Sequence, residues 1–232
     1  MTDHQPVEAL GHLLAALVRE HETGDVLAEI VHECASLLPA DAAALLVDNG
    51  GHGLEPLSAT SHRASELEVY QAQQDTGPCV DAVRTGETVV AVGAAEIIAR
   101  WPDVGRAIVD AGFASVHAFP MSWHGHTLGG LNVFSEQAVL LAESSLLLGQ
   151  NLADVATLTL AQPQLLREDE LAGRIRSALE GRVAIEQAKG VIAEREGVDM
   201  ATAYDRLLQR VLDTGSTLGA TARRVVGEAH ER

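Results

Sequence analysis

A proline-containing break in the apolar pattern, Gln162-Pro163-Gln164, divides this sequence into two parts of different character. Before the break, segments with the three- and four-residue spacing of amphipathic helices alternate with short apolar runs that are typical of strands. After it, every segment has a helical pattern. The charge changes at the same place, because residues 1–163 contain 5 basic and 21 acidic residues, whereas residues 164–232 contain 11 and 12. The sequence therefore predicts two domains, residues 1–162 and 163–232.

The overall composition excludes some classes of partner. The 232 residues carry a formal net charge of −17, which argues against broad electrostatic attraction to nucleic acid or to anionic membranes. A polyanionic partner would need a local basic patch. No segment has the 18 or more uninterrupted apolar residues of a membrane span, and the N-terminus lacks a basic region followed by an apolar stretch. We therefore expect no membrane contact and a cytoplasmic location.

The first part alternates predicted helices and strands, which indicates an antiparallel sheet with helices on a face, an α+β arrangement. Asp48-Asn49-Gly50-Gly51 between two apolar runs predicts a hairpin, and Trp123-His124-Gly125-His126 predicts a second one. The predicted strands are Ala42–Val47, Leu54–Ala59, Thr88–Val92, Ala114–Met121 and Thr127–Phe134. The predicted helices are Val7–Val18, Asp25–Leu38, Ser65–Gln74, Pro78–Arg84, one or two broken helices in Ala94–Ala111, and a long helix Ala138–Leu160.

Two strings in this part carry a resemblance to a known family. One is Asp75-Thr76-Gly77-Pro78-Cys79-Val80-Asp81-Ala82-Val83-Arg84-Thr85-Gly86-Glu87, and the other is the hairpin from Pro120 to Ser135. Residues 8–160 resemble a GAF domain of the version found in actinobacterial regulators. The resemblance implies a sensory domain that responds to a small ligand or to redox state.

The second part predicts three helices. Apolar residues recur at helical spacing from Leu165 to Glu196, and Gly197 is placed to end that helix. Asp199 can cap the next helix, and Ser216 or Thr217 can cap the third. A unit of this size has a small core, so we expect it to share apolar surface with the preceding helix or with a partner chain.

This part resembles an ANTAR domain, the RNA-binding module of bacterial transcription antiterminators, over residues 165–227. The resemblance is carried by three strings: Ala178 to Arg195 with its Ile-Glu-Gln-Ala-Lys-Gly core, Ala203-Tyr204-Asp205-Arg206-Leu207, and Leu218-Gly219-Ala220-Thr221-Ala222. The expected fold is thus an α+β GAF-like domain followed by an all-α three-helix ANTAR module.

The resemblance places the RNA contacts on polar and basic groups beside the small residues of the first helix. Gln187 and Lys189 are the first candidates, and the further candidates are Arg182, Arg206, Arg210, Arg223 and Arg224. Without the resemblance these arginines would be assigned to solvated helix faces. For Tyr204, periodicity favours core packing over base stacking. For Gly190, the usual role of a glycine inside a helix favours close packing of helices, and a contact of the neighbouring Lys189 with a phosphate is compatible with that packing.

The other candidate residues concern sensing, metals and catalysis. Cys79 follows Gly77-Pro78, so its thiol is expected in the first turn of a helix, where the pKa should fall; redox sensing and a buried filler of the sensory pocket both remain open. Cys34 is expected in the core. His117, His124 and His126 are assigned to strand and turn positions, and no metal site is predicted. Motifs of hydrolases and phosphate-binding loops are missing, so no catalytic residue is proposed.

The two family resemblances imply a non-enzymatic regulator. In this hypothesis the GAF domain senses an effector of unknown chemistry, and the ANTAR domain binds paired stem-loops in nascent mRNA and prevents termination. A homodimer is expected, because the long apolar-faced segments offer more surface than one module covers. The alternatives are a thiol enzyme similar to methionine sulfoxide reductases of the GAF type, and a DNA-binding helix-turn-helix regulator.

Overall fold

A computed structural model describes residues 4–18, 22–49, 53–161 and 183–230. Its chain divides into two units, Met1–Gln162 and Pro163–Arg232. Most of the predicted helix from Leu165 to Glu196, and Arg182 with it, lies outside the described residues. Within the described ranges no helix is long and apolar enough to cross a membrane.

The first unit is built on a five-stranded antiparallel sheet in the order β2-β1-β5-β4-β3. The long β4–β5 hairpin forms its centre, with Ser115 paired to Ser135 and Trp123 paired to His126. His124 and Gly125, at the tip, have φ angles of 50° and 83°, so the predicted turn is confirmed. The strands are β1 Ala42–Asp48, β2 Leu54–Ala59, β3 Val89–Val92, β4 Ser115–Trp123 and β5 His126–Ser135.

Helices cover both faces of this sheet. The sequence predicted helices on one face and did not indicate that the other face is covered as well. Alternate residues of β4 explain the arrangement, since Phe119 packs on one side and Ala118 on the other, and both are fully buried. The Phe119 side contacts α1, α2 and α7, and the Ala118 side contacts α3 to α6. These helices are α1 His4–Val18, α2 Thr23–Leu37, α3 His62–Gln74, α4 Pro78–Thr85, α5 Ala94–Arg100, α6 Pro102–Asp110 and α7 Glu143–Ala161.

Helix α7 begins five residues later than predicted. The predicted start was Ala138, but residues 137–142 form a connection in which the Leu141 backbone N–H donates to Nε2 of His117 at 3.3 Å. The Leu141 side chain is buried among the residues of the core. The apolar spacing that resembled a helix therefore comes from a segment that packs on the sheet in an irregular conformation.

The second unit consists, in its described part, of a helix over residues 183–196 (α8), α9 Met200–Thr214 and α10 Leu218–His230. The predicted boundaries are confirmed, because Gly197 has a φ of 65° and Asp199 accepts a hydrogen bond from the Thr202 backbone N–H at 2.8 Å. Thr217 accepts one from the Ala220 N–H at 3.3 Å. The core is small and alanine-rich: Ala188, Ile192, Ala203, Leu207, Ala222 and Val225.

Candidate functional site

Lys189 lies at a contact between α8 and α9. Its Nζ donates to both carboxylate oxygens of Glu186, at 3.0 and 2.9 Å, and lies 5.8 Å from the centroid of the Tyr204 ring. The side chain of Lys189 is 18% exposed, so most of it is covered, whereas that of its partner Glu186 is 53% exposed. Gln187, two residues before Lys189 and therefore on the opposite flank of α8, is exposed.

The position of Tyr204 corrects the prediction from periodicity. The residue is 37% exposed and does not belong to the core of the second unit, whose α9 members are Ala203 and Leu207. The core of this unit is too small to cover a full apolar stripe, and α9 buries one side of its stripe only. An apolar row at four-residue spacing remains exposed: Met200, Tyr204, Leu208 and Leu212.

Gly190 also departs from the structural role expected for it. Ala188 is fully buried, as close helix packing requires, but Gly190 is exposed, and a Cβ placed on it would meet nothing within 4 Å. Glycine inside a helix costs about 1 kcal/mol relative to alanine, and no packing in the described residues explains it here. At Gly190, next to Lys189, the surface of α8 therefore carries no side chain that would obstruct an approaching molecule.

Two of the candidate arginines, Arg206 and Arg210, lie on the other side of α9. Glu196 contacts both Arg210, at 2.8 Å, and Arg206, at 3.8 Å. At 100° per residue, these two arginines project from the flank of α9 opposite to Tyr204. Arg210 and Arg224 line a cleft of about 260 Å³ between α9 and α10, which also contains Asp213 and Glu228.

Arg223 and Arg224 are exposed on α10, and within residues 183–230 neither has an acidic side chain within ion-pair distance. The structure therefore brings Lys189 and Tyr204 together, leaves Gln187 exposed on α8, and places the four described arginines elsewhere in the unit. Arg182 lies outside the described residues. The assignment of all seven residues to RNA contact stays a prediction.

In the first unit, four polar residues form a closed cluster between α3, α4 and β5. The carboxylate of Glu68 accepts hydrogen bonds from Asn132 Nδ2 at 2.7 Å and from Gln71 Nε2 at 3.2 Å. Gln71 Oε1 in turn accepts from the Cys79 backbone N–H at 3.2 Å. All four residues are fully buried, and Oδ1 of Asn132 has no hydrogen-bond partner. Burial raises the pKa of Glu68 to about 8, although the hydrogen bond from Asn132 acts in the opposite direction.

Cys79 occupies the first turn of α4, as predicted, but the expected direction of its pKa was wrong. Burial raises the pKa of the thiol well above its ordinary value, the negative charge of Glu68 raises it further, and the Asn132 amide only partly opposes them. The burial of the site therefore outweighs the helix N-terminus. A Cβ on Gly130 would lie 2.7 Å from the Cys79 sulfur, so the thiol packs closely against the backbone of β5, and the assignment of Cys79 to a sensory pocket stays a prediction.

Three members of the cluster were not anticipated: Glu68, Gln71 and Asn132. They could have been identified as polar residues at positions where the apolar spacing of the helix or strand predicts an apolar residue. Glu68 and Gln71 share a helix face with the buried Ala64 and Leu67, and Asn132 interrupts an apolar strand.

The remaining candidates have structural positions. His117 is buried and burial lowers its pKa to about 4, while His124 and His126 lie exposed at the β4–β5 turn. Cys34 is buried in the core on the opposite face of the sheet from Cys79, and burial raises its pKa to about 12. The described ranges hold no group of three or more residues suited to bind a metal ion. A surface depression of about 340 Å³ lies between β2 and the start of α3.

Comparison with protein families gives two matches that follow the two units. Residues 22–160 match the family model of the GAF domain, and residues 173–226 match that of the ANTAR domain. A search of the curated proteins found no significant match.

Comparison with solved structures gives matches to GAF domains of low sequence identity. The GAF domain of a phosphoenolpyruvate-protein phosphotransferase from Coxiella burnetii is 16% identical, with a TM-score of 0.55 over 69% of this chain and 95% of that one. Free methionine-R-sulfoxide reductase from Neisseria meningitidis, in complex with its substrate, is 17% identical, with a TM-score of 0.51 over 68% and 91%. At these identities the likeness shows the fold alone.

Proposed function

We propose a function from the premise that this chain belongs to the GAF domain family and carries an ANTAR domain after the GAF domain. The proposed function is that of a signal-responsive RNA-binding antitermination regulator. The domain composition is that of a regulator rather than an enzyme. In the proposal, the first unit responds to an effector, and the second binds paired stem-loops in nascent mRNA and so prevents formation of a terminator.

The observation that carries the RNA part is the exposed surface around Lys189, Tyr204 and Gly190. An accessible aromatic ring with an ammonium group beside it combines the two features that hold unstacked bases and their phosphates. Gly190 leaves room for a backbone to approach α8, and Gln187 adds an amide for base edges. The proposed contact surface is therefore Lys189, Gly190 and Tyr204, and Gln187, about 160° around α8 from Lys189, would contact a different part of the RNA.

The arginines contribute less in this proposal than a count of charges would imply. Arg206 and Arg210 share Glu196, so an RNA phosphate would have to compete with a carboxylate for them. Arg223 and Arg224 face no such competition within the described residues. We therefore expect a small number of phosphate contacts per chain and a modest dependence of affinity on salt.

Recognition of two loops requires two copies of this surface, so the proposal includes a homodimer. Two linked sites raise the overall affinity through effective concentration without any new contact. Light scattering of the full chain at micromolar concentration should give twice the chain mass of 24.5 kDa. A monomer at all concentrations would remove this part of the proposal.

A thiol enzyme is the weaker alternative, although one solved structure with this fold is a sulfoxide reductase. A nucleophilic thiol needs access to substrate and a lowered pKa. Cys79 has neither property in this conformation, and Cys34 lies across the sheet from it. Release of methionine from its free sulfoxide by the full chain would restore this alternative.

The direct test is binding of the full chain to three nucleic acids of equal length, measured by fluorescence anisotropy: an RNA with two adjacent stem-loops, the same RNA with one loop closed into duplex, and a duplex DNA. The proposal predicts that the two-loop RNA binds most tightly. It also predicts that Lys189→Ala weakens binding by about 1 kcal/mol or more per chain, the scale of a charge-assisted hydrogen bond. Preference for the DNA would favour the helix-turn-helix alternative.

A further inference from the structure

The buried cluster of Glu68, Gln71, Cys79 and Asn132 has no part in the proposed RNA contact, yet it gathers four fully buried polar residues in one place of the first unit. On the central strands, the other buried residues of this face are apolar: Ala42, Ala44, Val116, Ala118 and Phe134. A carboxyl group is rarely left in such surroundings without a function or a compensating charge.

Gln71 can adopt a single orientation in this cluster. Its Oε1 must face Cys79, because the Cys79 backbone N–H can only donate. Its Nε2 therefore faces Glu68 and donates to one carboxylate oxygen. Gln71 thus connects the carboxyl group of Glu68 on α3 directly to the first turn of α4.

Asn132 can adopt two orientations, and the protonation of Glu68 decides between them. With Nδ2 donating to one Glu68 oxygen and Gln71 Nε2 to the other, both carboxyl oxygens act as acceptors, which suits an ionised carboxylate, and Oδ1 of Asn132 remains buried without a partner. Rotating the amide by 180° places Oδ1 against Glu68, which must then carry a proton to donate. The separation of 2.7 Å fits an O–H···O hydrogen bond or a charge-assisted N–H···O hydrogen bond.

We propose that these four residues form a proton-controlled latch, which holds α3 and α4 closed over the sheet while Glu68 is protonated and loosens them when Glu68 ionises. Burial of the ionised carboxylate without a positively charged partner is unfavourable, and opening returns it to water. The released proton goes to solvent. Opening also frees the Cys79 backbone N–H and exposes the Cys79 thiol. The rate at which a reagent labels this thiol therefore reports whether the latch is open.

Other charged groups of the described residues do not enter the latch. On α3, Glu66 pairs with His62 and Arg63 pairs with Glu136. On α4, Arg84 contacts Asp75 and Asp81, and Asp81 accepts from Trp101 Nε1. His117 of β4 faces the opposite side of the sheet, where its Nε2 accepts from Leu141. Further charged or titratable groups on the neighbouring elements are at least partly solvent-exposed: Asp48, Glu55, Tyr70, Asp103, Arg106, Asp110 and His126.

The test compares the full wild-type chain with Glu68→Gln, which mimics the protonated carboxyl, and with Glu66→Gln, which removes an exposed carboxylate from the same helix. Urea unfolding of the first unit is measured between pH 6.5 and 7.5. Since Glu68 would have a pKa of about 8 when folded and an ordinary value when unfolded, the ratio of the wild-type to the Glu68→Gln unfolding constant should rise about eightfold. In the wild type alone, where His117 offsets part of the effect, the rise should be about fourfold.

The second readout is local. Labelling of Cys79 by a neutral pyridyl disulfide, located by peptide mass spectrometry, should accelerate in the wild type relative to Glu68→Gln by about eightfold over the same range. Glu66→Gln should behave as the wild type. Wild-type unfolding constants that do not change with pH would overturn the proposal even if Glu68→Gln fails to fold. A labelling ratio that does not change with pH would overturn it as well, because the carboxyl would then not control the α3–α4 closure.

Discussion

Replacing Glu186 by glutamine should tighten RNA binding, although it removes an ion pair of the folded protein. Nζ of Lys189 lies 2.9 Å from a Glu186 carboxylate oxygen. A phosphate that contacts Lys189 from the open side would lie about 6 Å from that carboxylate, and two unit charges at this distance repel by about 0.7 kcal/mol in water.

This repulsion predicts that Glu186→Gln improves the free energy of binding by about 0.7 kcal/mol, or about threefold in Kd. The loss of an i,i+3 pair lowers the stability of α8 by only about 0.2–0.5 kcal/mol, so the fold should survive. The assay is fluorescence anisotropy of the full chain with a two-loop RNA at about 0.1 M salt, where screening is moderate.

Glu194→Gln provides the matched control, since it removes the same charge from an exposed position of the same helix. It should change Kd little. In a Lys189→Ala background, Glu186→Gln should have a smaller effect than in the wild type. An unchanged or weaker affinity of Glu186→Gln, with circular dichroism showing intact helices, would refute the reasoning, because Lys189 would then not meet a phosphate.

Three further variants test the structure that supports these sites. Leu207→Ala removes a fully buried side chain from the small helical core and should destabilise the second unit by about 2–5 kcal/mol in urea, whereas Leu212→Ala, at a 75% exposed position, should change it by less than about 0.5 kcal/mol. Buried His117 has a pKa lowered to about 4, so its contribution to stability is present above pH 6.5 and is lost as the pH falls toward 4; His117→Gln should remove this part of the acid sensitivity in pH-dependent unfolding. Asp199 has a pKa lowered by the Thr202 backbone N–H, so Asp199→Ala should reduce the helical circular dichroism of α9 at neutral pH and have no effect once the carboxyl is protonated.

Local rules predicted much of the fold. Glycines with positive φ and side-chain caps ended or began helices where expected, as Gly197 and Asp199 show, because these signals act within a few residues. The start of α7 was misplaced because apolar spacing does not distinguish a helix from an irregular segment buried on a sheet. The exposed Tyr204 was misassigned for a related reason, since periodicity shows that a helix has an apolar side but not how much of it the rest of the domain covers.

The candidate sites depended more on tertiary contacts. Proximity to a helix N-terminus predicted a lowered pKa for Cys79, but residues of α3 and β5 pack around the thiol in the folded chain, bury it and place Glu68 beside it. The partners of Lys189 illustrate both cases. Glu186 is three residues away and follows from helix geometry, whereas the contact with Tyr204 needs the packing of two helices.

Crosslinking of RNA to the full chain in cells, followed by purification and sequencing of the bound transcripts, tests the central claim most directly. The account predicts enrichment of leader transcripts in which two adjacent stem-loops overlap or precede a terminator, and loss of this enrichment for a chain carrying both Lys189→Ala and Tyr204→Ala. The account would be contradicted if the wild-type chain recovered no more RNA than the double variant. It would also be contradicted if the recovered transcripts lacked paired stem-loops.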